Sequence, residues 1–195
     1  MVKLNFYLIR HGLTDWNLVA RAQGREDIDL NEDGRRQAEY CAKALAKLPL
    51  DCIVSSPLLR AVHTAEMIAK YHPGLAIQVM QEFIERDYGK LSGLFPEEAK
   101  QFRNSGKNPC SEDKQAVAER AFKGLELLCE TCDGENVLIV THGGVIGAIL
   151  KELIGGRSAN SHLNNVYVNY IKGENGSYKV IQYNIAPEVF VQMNT

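Results

Sequence analysis

Two arginines and two histidines stand where predicted β-strands end. Arg10-His11-Gly12 follows Val2 to Ile9, an aromatic and β-branched run that reads as a strand. Arg60 falls in the first turn of the helix predicted after a second strand, Asp51 to Ser55. Thr141-His142-Gly143-Gly144 follows Asn136 to Val140, the most apolar strand of the chain. Parallel strands bring their carboxyl ends to one edge of a sheet, where open α/β sheets bind their ligands. Residues remote in sequence can therefore converge there. Two guanidinium groups and two imidazoles facing one cavity describe a site for a compact dianion.

The elements that must position these groups follow from periodicity and punctuation. The first strand ends apolar on both faces, as expected between two layers of helices. Leu30-Asn31-Glu32-Asp33-Gly34 leads into a helix whose stripe is Ala38, Cys41, Ala42 and Leu45, ended by Pro49. Ser56-Pro57 predicts a serine cap and a proline at the first helical position. That helix runs to about Tyr71, burying Leu58, Ala61, Val62 and Ala65, and its first turn holds Arg60 near free backbone N–H groups and the positive end of the helix dipole.

Leu75 to Met80 alternates as a third strand, and Glu82 to Gly93 reads as a charged loop. A short helix is expected from Pro96 to about Arg103 and a linker over 104–109. Residues 86–110 read as an insertion covering one end of the sheet. Long helical spacing covers Ser111 to Cys132, with acids in its first turn, and a further helix runs from Val145 to Ile154, closing at Gly155-Gly156. Val166 to Ile171 and Tyr178 to Tyr183 alternate around Glu174-Asn175-Gly176-Ser177, a hairpin signal. The expected fold is a three-layer α/β/α sandwich. Its central sheet is mostly parallel with an antiparallel edge element, and residues 1–195 form a single domain.

Composition narrows the class of function. With 195 residues, 45% hydrophobic and 24% charged, the chain can close a substantial core. A net charge of −2 argues against nucleic acid or a membrane surface as partner. No signal-peptide pattern or membrane-length apolar run is visible, and an odd count of five cysteines, four of them within predicted helices or strands, disfavours a disulfide framework. A cytoplasmic protein is expected, as monomer or homodimer.

The ordered motifs resemble those of the histidine phosphatase superfamily, also called the phosphoglycerate mutase-like family. Tyr7 to Thr14 with Asn17 and Gln23-Gly24 is similar to its opening signature. Leu30 to Gly34 with Gln37-Ala38, Ser55 to Ala61 with Thr64-Ala65, Glu85 with Gly89 and Gly93, and Thr141 to Gly144 follow in the family's order. The resemblance implies that His11 is the nucleophile, forming a phosphohistidine from a phosphomonoester. It implies that Arg10, Arg60 and His142 hold the phosphoryl oxygens, with Asn17 and the Gly143 N–H as lesser donors, and that Thr14, Gln23 and Gly24 line the substrate site. Glu85 matches the proton donor, whose task is to protonate a poor alkoxide leaving group and then to take a proton from water. Guanidinium groups already neutralise the phosphate, so neither metal nor other cofactor is expected.

The implied activity is metal-independent hydrolysis of a small phosphorylated metabolite. Within the superfamily the rival is a cofactor-dependent phosphoglycerate mutase, suggested by Glu85 to Gly89 with Leu91 and Gly93. Against it, Lys100, Arg103 and Lys107 are scattered where mutases carry paired basic residues. A non-catalytic phosphate or phosphoprotein-binding module is the rival from another class, and it has no use for the acid. Arg21, Arg25 and Arg86 suit either an acidic substrate or a solvated face. Cys129 and Cys132 read as core packing, and His63 and His72 as surface residues, while His162 has no assignment.

Overall fold

A computed structural model describes residues 3–155, 162–174 and 176–194. Its core is a six-stranded sheet, formed by β1 (Lys3–Arg10), β2 (Cys52–Ser55), β3 (Ile77–Val79), β4 (Asn136–Thr141), β5 (Val168–Glu174) and β6 (Ser177–Ile185). The strand order is β3-β2-β4-β1-β5-β6. β3, β2, β4 and β1 pair in parallel, while β5 and β6 add antiparallel to β1, as expected.

Alternation along β1 shows why the sheet needs two covers. Phe6 and Leu8 belong to one apolar cluster and Tyr7 and Ile9 to the other. On the first face lie α5 (Lys114–Thr131), through Val117, Ala121, Leu125 and Leu128, and α6 (Gly143–Ile154), through Val145, Ile146 and Ile149. On the second lie α2 (Glu32–Leu45), α3 (Leu59–Ala69) and α7 (Pro187–Asn194), through Cys41, Ala42, Leu45, Ala61, Ala65, Ile68 and Phe190. The result is the three-layer sandwich. Each fully buried Leu, Ile or Phe contributes roughly 1.5–3 kcal/mol of transfer free energy. Cys129 and Cys132 pack against the first cluster.

Two helix starts differ from expectation because of where the cap lies. α3 begins at Leu59 rather than Pro57, because Asp27 Oδ1 accepts the Leu59 N–H at 2.7 Å. α5 begins at Lys114, capped by Asp113, so the acids predicted for its first turn precede it. Two short helices escaped the periodicity argument: α1 (Asp15–Leu18), closed by a Thr14–Asn17 capping box, and α7. α4 (Pro96–Asn104) matches its expectation. Val2, Gly156 and Asn175, named in the sequence expectations, lie outside the described residues. Among the described residues no helix is long and apolar enough to cross a membrane.

Close backbone packing ties α2 to the strand end. Asn31 caps α2 by accepting the Gly34 N–H at 2.8 Å, and a Cβ on Gly34 would lie 2.0 Å from the Leu13 carbonyl oxygen. Glycine is required there. The loop that follows His11 is thereby clamped to the start of a helix.

Candidate active site

Strand register sets the centre of the site. Arg10 pairs with Thr141 across β1 and β4, and the His11 N–H donates to the Thr141 carbonyl at 3.0 Å. His11 and His142 consequently leave the sheet side by side, with ring centroids 5.1 Å apart and planes inclined by 57°. Beyond β4, Ser55 pairs with Val140, which places the Ser56 hydroxyl 2.7 Å from His142 Nε2.

The His11 ring is oriented and kept neutral. Its Nδ1 lies 2.7 Å from the Gly12 carbonyl oxygen, which can only accept. Nδ1 therefore carries the proton and Nε2 keeps its lone pair. Burial, then the Arg60 and Arg10 charges, push the imidazole pKa well below 6.5, and the Gly12 carbonyl only partly opposes them. The backbone on either side is pinned: Asn165 Nδ2 donates to the His11 carbonyl at 2.6 Å, and the Gly12 N–H donates to Thr64 Oγ1 at 3.1 Å.

Both arginines are anchored by carbonyls, which fix a guanidinium without cancelling its charge. Arg60 is 1% exposed, and its Nη1 and Nη2 donate to Glu26 O at 2.7 Å and Gly24 O at 2.8 Å. Arg10 Nη1 donates to Leu163 O. Burial lowers the Arg60 pKa to about 10, which leaves it cationic at neutral pH. Among the described residues, Arg10 Nε, Arg60 Nε and His142 Nδ1 are buried without a hydrogen-bond partner. An unpartnered buried polar atom costs about 1–3 kcal/mol, so three around one imidazole call for an occupant.

Glu85 supplies the opposite electrostatic condition. It is 7% exposed, and its carboxyl accepts the Arg86 N–H at 2.8 Å and the Gly144 N–H at 3.2 Å. Burial raises its pKa, against the lowering effect of those two N–H groups and of Arg60 and Arg10. Gly144 lies in the first turn of α6, and a Cβ there would sit 2.3 Å from Glu85 Oε1. Only glycine lets the helix terminus approach the acid so closely.

Arg10, His11, Arg60 and Glu85 open onto one cavity of about 670 Å³, together with Asn17, Gln23, Gly24 and Gly143. His142 is fully buried and lies behind that wall, against His11. Thr14 does not line the cavity either, contrary to its expected place on the substrate. Its hydroxyl lies 3.1 Å from the side-chain oxygens of both Asn17 and Gln23, so it holds two residues that do. Gly24 contributes mainly its carbonyl, the anchor of Arg60.

Other cations of the wall are Arg21, Arg86, Arg103, Lys114 and Lys151, of which Lys114 and Lys151 had no sequence signal. His162 also borders the cavity. Arg25 is turned elsewhere, pairing with Glu112 at 3.3 Å. His63 bonds Asp29 at 2.6 Å, and His72, expected at the surface, is only 9% exposed because the turn after α3 folds it inward. Among the described residues no cluster of His, Cys, Asp and Glu could hold a metal ion.

A family model describing the histidine phosphatase superfamily, branch 1, matches residues 6–186. The chain belongs to that superfamily. It is 37% identical over 180 residues to the uncharacterized phosphatase PhoE of Bacillus subtilis, covering 91% of this chain and 93% of that protein. It is 36% identical to a metal-independent phosphoserine phosphatase of Arabidopsis thaliana, over 80% of this chain and 71% of that one. The solved structure of Bacillus stearothermophilus YhfR superposes with a TM-score of 0.86 at 25% identity, covering 95% and 99% of the two chains. Membership in this superfamily identifies the chain as a phosphatase-type enzyme.

Proposed function

We propose that this histidine phosphatase hydrolyses small phosphomonoesters without a metal, with His11 as nucleophile and Glu85 as general acid and base. The observation that carries the residue assignment is the set of buried donors without a partner among the described residues, Arg10 Nε, Arg60 Nε and His142 Nδ1, around an imidazole whose proton is held on Nδ1 by the Gly12 carbonyl. The likeness to a metal-independent phosphatase supports the absence of a metal requirement.

The geometry supports the following steps. Arg10 and Arg60 donate their Nε–H groups to the phosphoryl oxygens, each charge-assisted bond being worth roughly 1.5–3 kcal/mol. With Ser56 donating its hydroxyl proton to His142 Nε2, the Nδ1–H of His142 becomes a further donor beside the nucleophile. His11 Nε2 attacks phosphorus, and the ester P–O bond breaks as Glu85 protonates the leaving oxygen. The Glu85 carboxylate then takes a proton from water. The resulting hydroxide displaces the phosphoryl group from Nε2, releasing inorganic phosphate and restoring His11 and protonated Glu85.

The substrate class is narrowed by the outer wall. Arg21, Arg86, Arg103, Lys114 and Lys151 face the cavity, and among the described residues none of them is in an ion pair. Against them the wall carries two carboxylates, Glu85 and Glu152. A phosphomonoester with a second anionic group fits that imbalance, as phosphoserine does for the Arabidopsis relative. Residues 86–110 supply Arg86, Tyr88, Leu91 and Arg103 to the wall, in keeping with a cap on a single domain of 1–195. The odd cysteine count supports a reducing compartment, which we take to be the cytoplasm.

Phosphate release from a panel of phosphomonoesters, with and without chelator, tests this on wild type and His11→Ala. Chelator-resistant release that depends on His11 is the expected result. Interconversion of phosphoglycerates without net release would move the assignment to a mutase, and silence in both assays to a binding module.

A further inference from the structure

Glu85 sits in a stretch without regular structure, between short 3₁₀ turns at Gln81–Phe83 and Gly89–Leu91. Side chains must therefore set the position of its backbone, and they converge on one carboxylate that does not line the cavity. Glu112, just before α5, accepts Arg120 Nε on Oε1 at 2.8 Å and Arg120 Nη2 on Oε2 at 3.1 Å. Arg25 Nη2 lies 3.3 Å from the same Oε2.

Each of these arginines also holds a carbonyl of the acid-bearing stretch. Arg120 Nη1 donates to Glu82 O at 2.8 Å, and Arg25 Nε donates to Glu85 O at 3.2 Å. Glu112 adds direct bonds on the other side of Glu85. Its carboxylate accepts the Asp87 N–H at 3.1 Å, its own N–H donates to Asp87 O at 2.8 Å, and its carbonyl accepts Arg86 Nε at 2.8 Å. The stretch 82–87 is thus gripped before, at and after Glu85 through a single residue.

The grip is strong because it is sheltered: the Glu112 side chain is 15% exposed and that of Arg120 19%. Hydrogen-bonded charges at such depth are screened less than surface pairs. Removing the carboxylate would leave two arginines without their shared partner and release the carbonyls of Glu82 and Glu85 together.

We propose that Glu112 is the positioning residue of the proton donor, holding Arg25 and Arg120 so that the Glu85 carboxyl meets the leaving oxygen. The inference rests on the phosphatase reading of the site. In kcat/KM, which covers the steps up to departure of the leaving group, a misplaced acid harms only those substrates whose leaving group needs a proton, whereas a loosened fold harms all substrates alike.

The test compares kcat/KM for 2-phosphoglycerol, an alkyl ester, with that for 2,4-dinitrophenyl phosphate, whose leaving group departs unprotonated. The two values are taken on one preparation, so the fraction of folded enzyme cancels in their ratio. Wild type, Glu112→Gln, Glu112→Asp and Glu85→Gln are compared, with Arg120→Lys read in the same way should Glu112→Gln yield no soluble enzyme. The expected result is an alkyl-to-aryl ratio lowered at least about tenfold by Glu112→Gln, in the direction of Glu85→Gln, and partly restored in Glu112→Asp. A ratio unchanged in the Glu112 variants, with both esters falling equally or not at all, overturns the proposal. Wild type inactive on both esters would instead overturn the phosphatase reading itself.

Discussion

Asp27 Oδ1 accepts the Leu59 N–H at 2.7 Å, so the helix that carries Arg60 is capped from the loop that also anchors Arg60. Gly24, Glu26, Asp27 and Asp29 bond in turn to Arg60, Leu59 and His63, fastening that loop along the first turns of α3. The cap of α3 and the anchor of the Arg60 guanidinium are consequently one assembly.

Replacing Asp27 by alanine should therefore act twice. Loss of the cap lowers stability by about 0.5–2 kcal/mol in a denaturant titration. Loosening of the loop weakens phosphate binding at Arg60, seen as a raised inhibition constant for inorganic phosphate. A destabilised variant with unaltered phosphate inhibition would separate the two roles.

Stability itself should depend on acid through the buried imidazoles. An unfolded histidine titrates near pH 6.5, and His11 and His142 titrate well below that when folded, first through burial and then through Arg60. Below about pH 6.5 the unfolded chain binds protons that the folded chain refuses. Stability accordingly falls as pH drops through that region toward the folded values, by up to about 1.4 kcal/mol per pH unit for each imidazole. Urea titrations at pH 7, 6 and 5 check this, and His11→Ala should flatten the dependence by one imidazole's share.

The proposed mechanism needs His11 neutral and Glu85 protonated, so it assigns an owner to each limb of the pH profile. The acid limb belongs to His11 and lies below pH 6.5. The basic limb belongs to Glu85 and lies above its ordinary carboxyl value, because burial opposes its ionisation. In Glu85→Gln the basic limb should vanish for an alkyl ester, with kcat/KM lowered by about 10²–10⁴-fold. A basic limb that survives the substitution would belong to another group.

Gly144→Ala probes the acid from its other side. The added methyl would lie 2.3 Å from Glu85 Oε1, so the carboxyl must move. Turnover of an alkyl ester should fall by about 10²-fold, as expected for a displacement near 1 Å, while phosphate inhibition stays close to that of wild type because Arg10 and Arg60 are untouched. Gly143→Ala, whose Cβ meets Arg10 Nε only at 3.5 Å, is the matched control and should retain more activity.

Strand ends were the legible part of this site. Arg10, His11 and His142 lie at the carboxyl ends of β1 and β4, and neighbouring strands place them together without further information. Arg60 was placed correctly in a first turn even though α3 starts two residues late, since its cap comes from Asp27 and leaves no local mark. Glu85 could be distinguished from the nearby carboxylates Glu82, Asp87 and Glu97 only by its motif, because a stretch without regular structure has no periodicity to say which side chain faces the site. Glu112 left no trace of its role for the same reason that it has one: its partners Arg25, Asp87 and Arg120 come from three segments of the chain. Short α1 and α7 lack the length from which a helical period can be read.

The free donors on Arg10 and Arg60 bear on how the enzyme lets go as well as on how it binds. Inorganic phosphate offers those donors the same oxygens as the ester it came from, so the final complex is held by the grip that held the first. The proposed site therefore builds product inhibition into its clamp: ambient phosphate should compete with substrate, and the rate of hydrolysis should follow the phosphate content of the surroundings as well as the supply of ester.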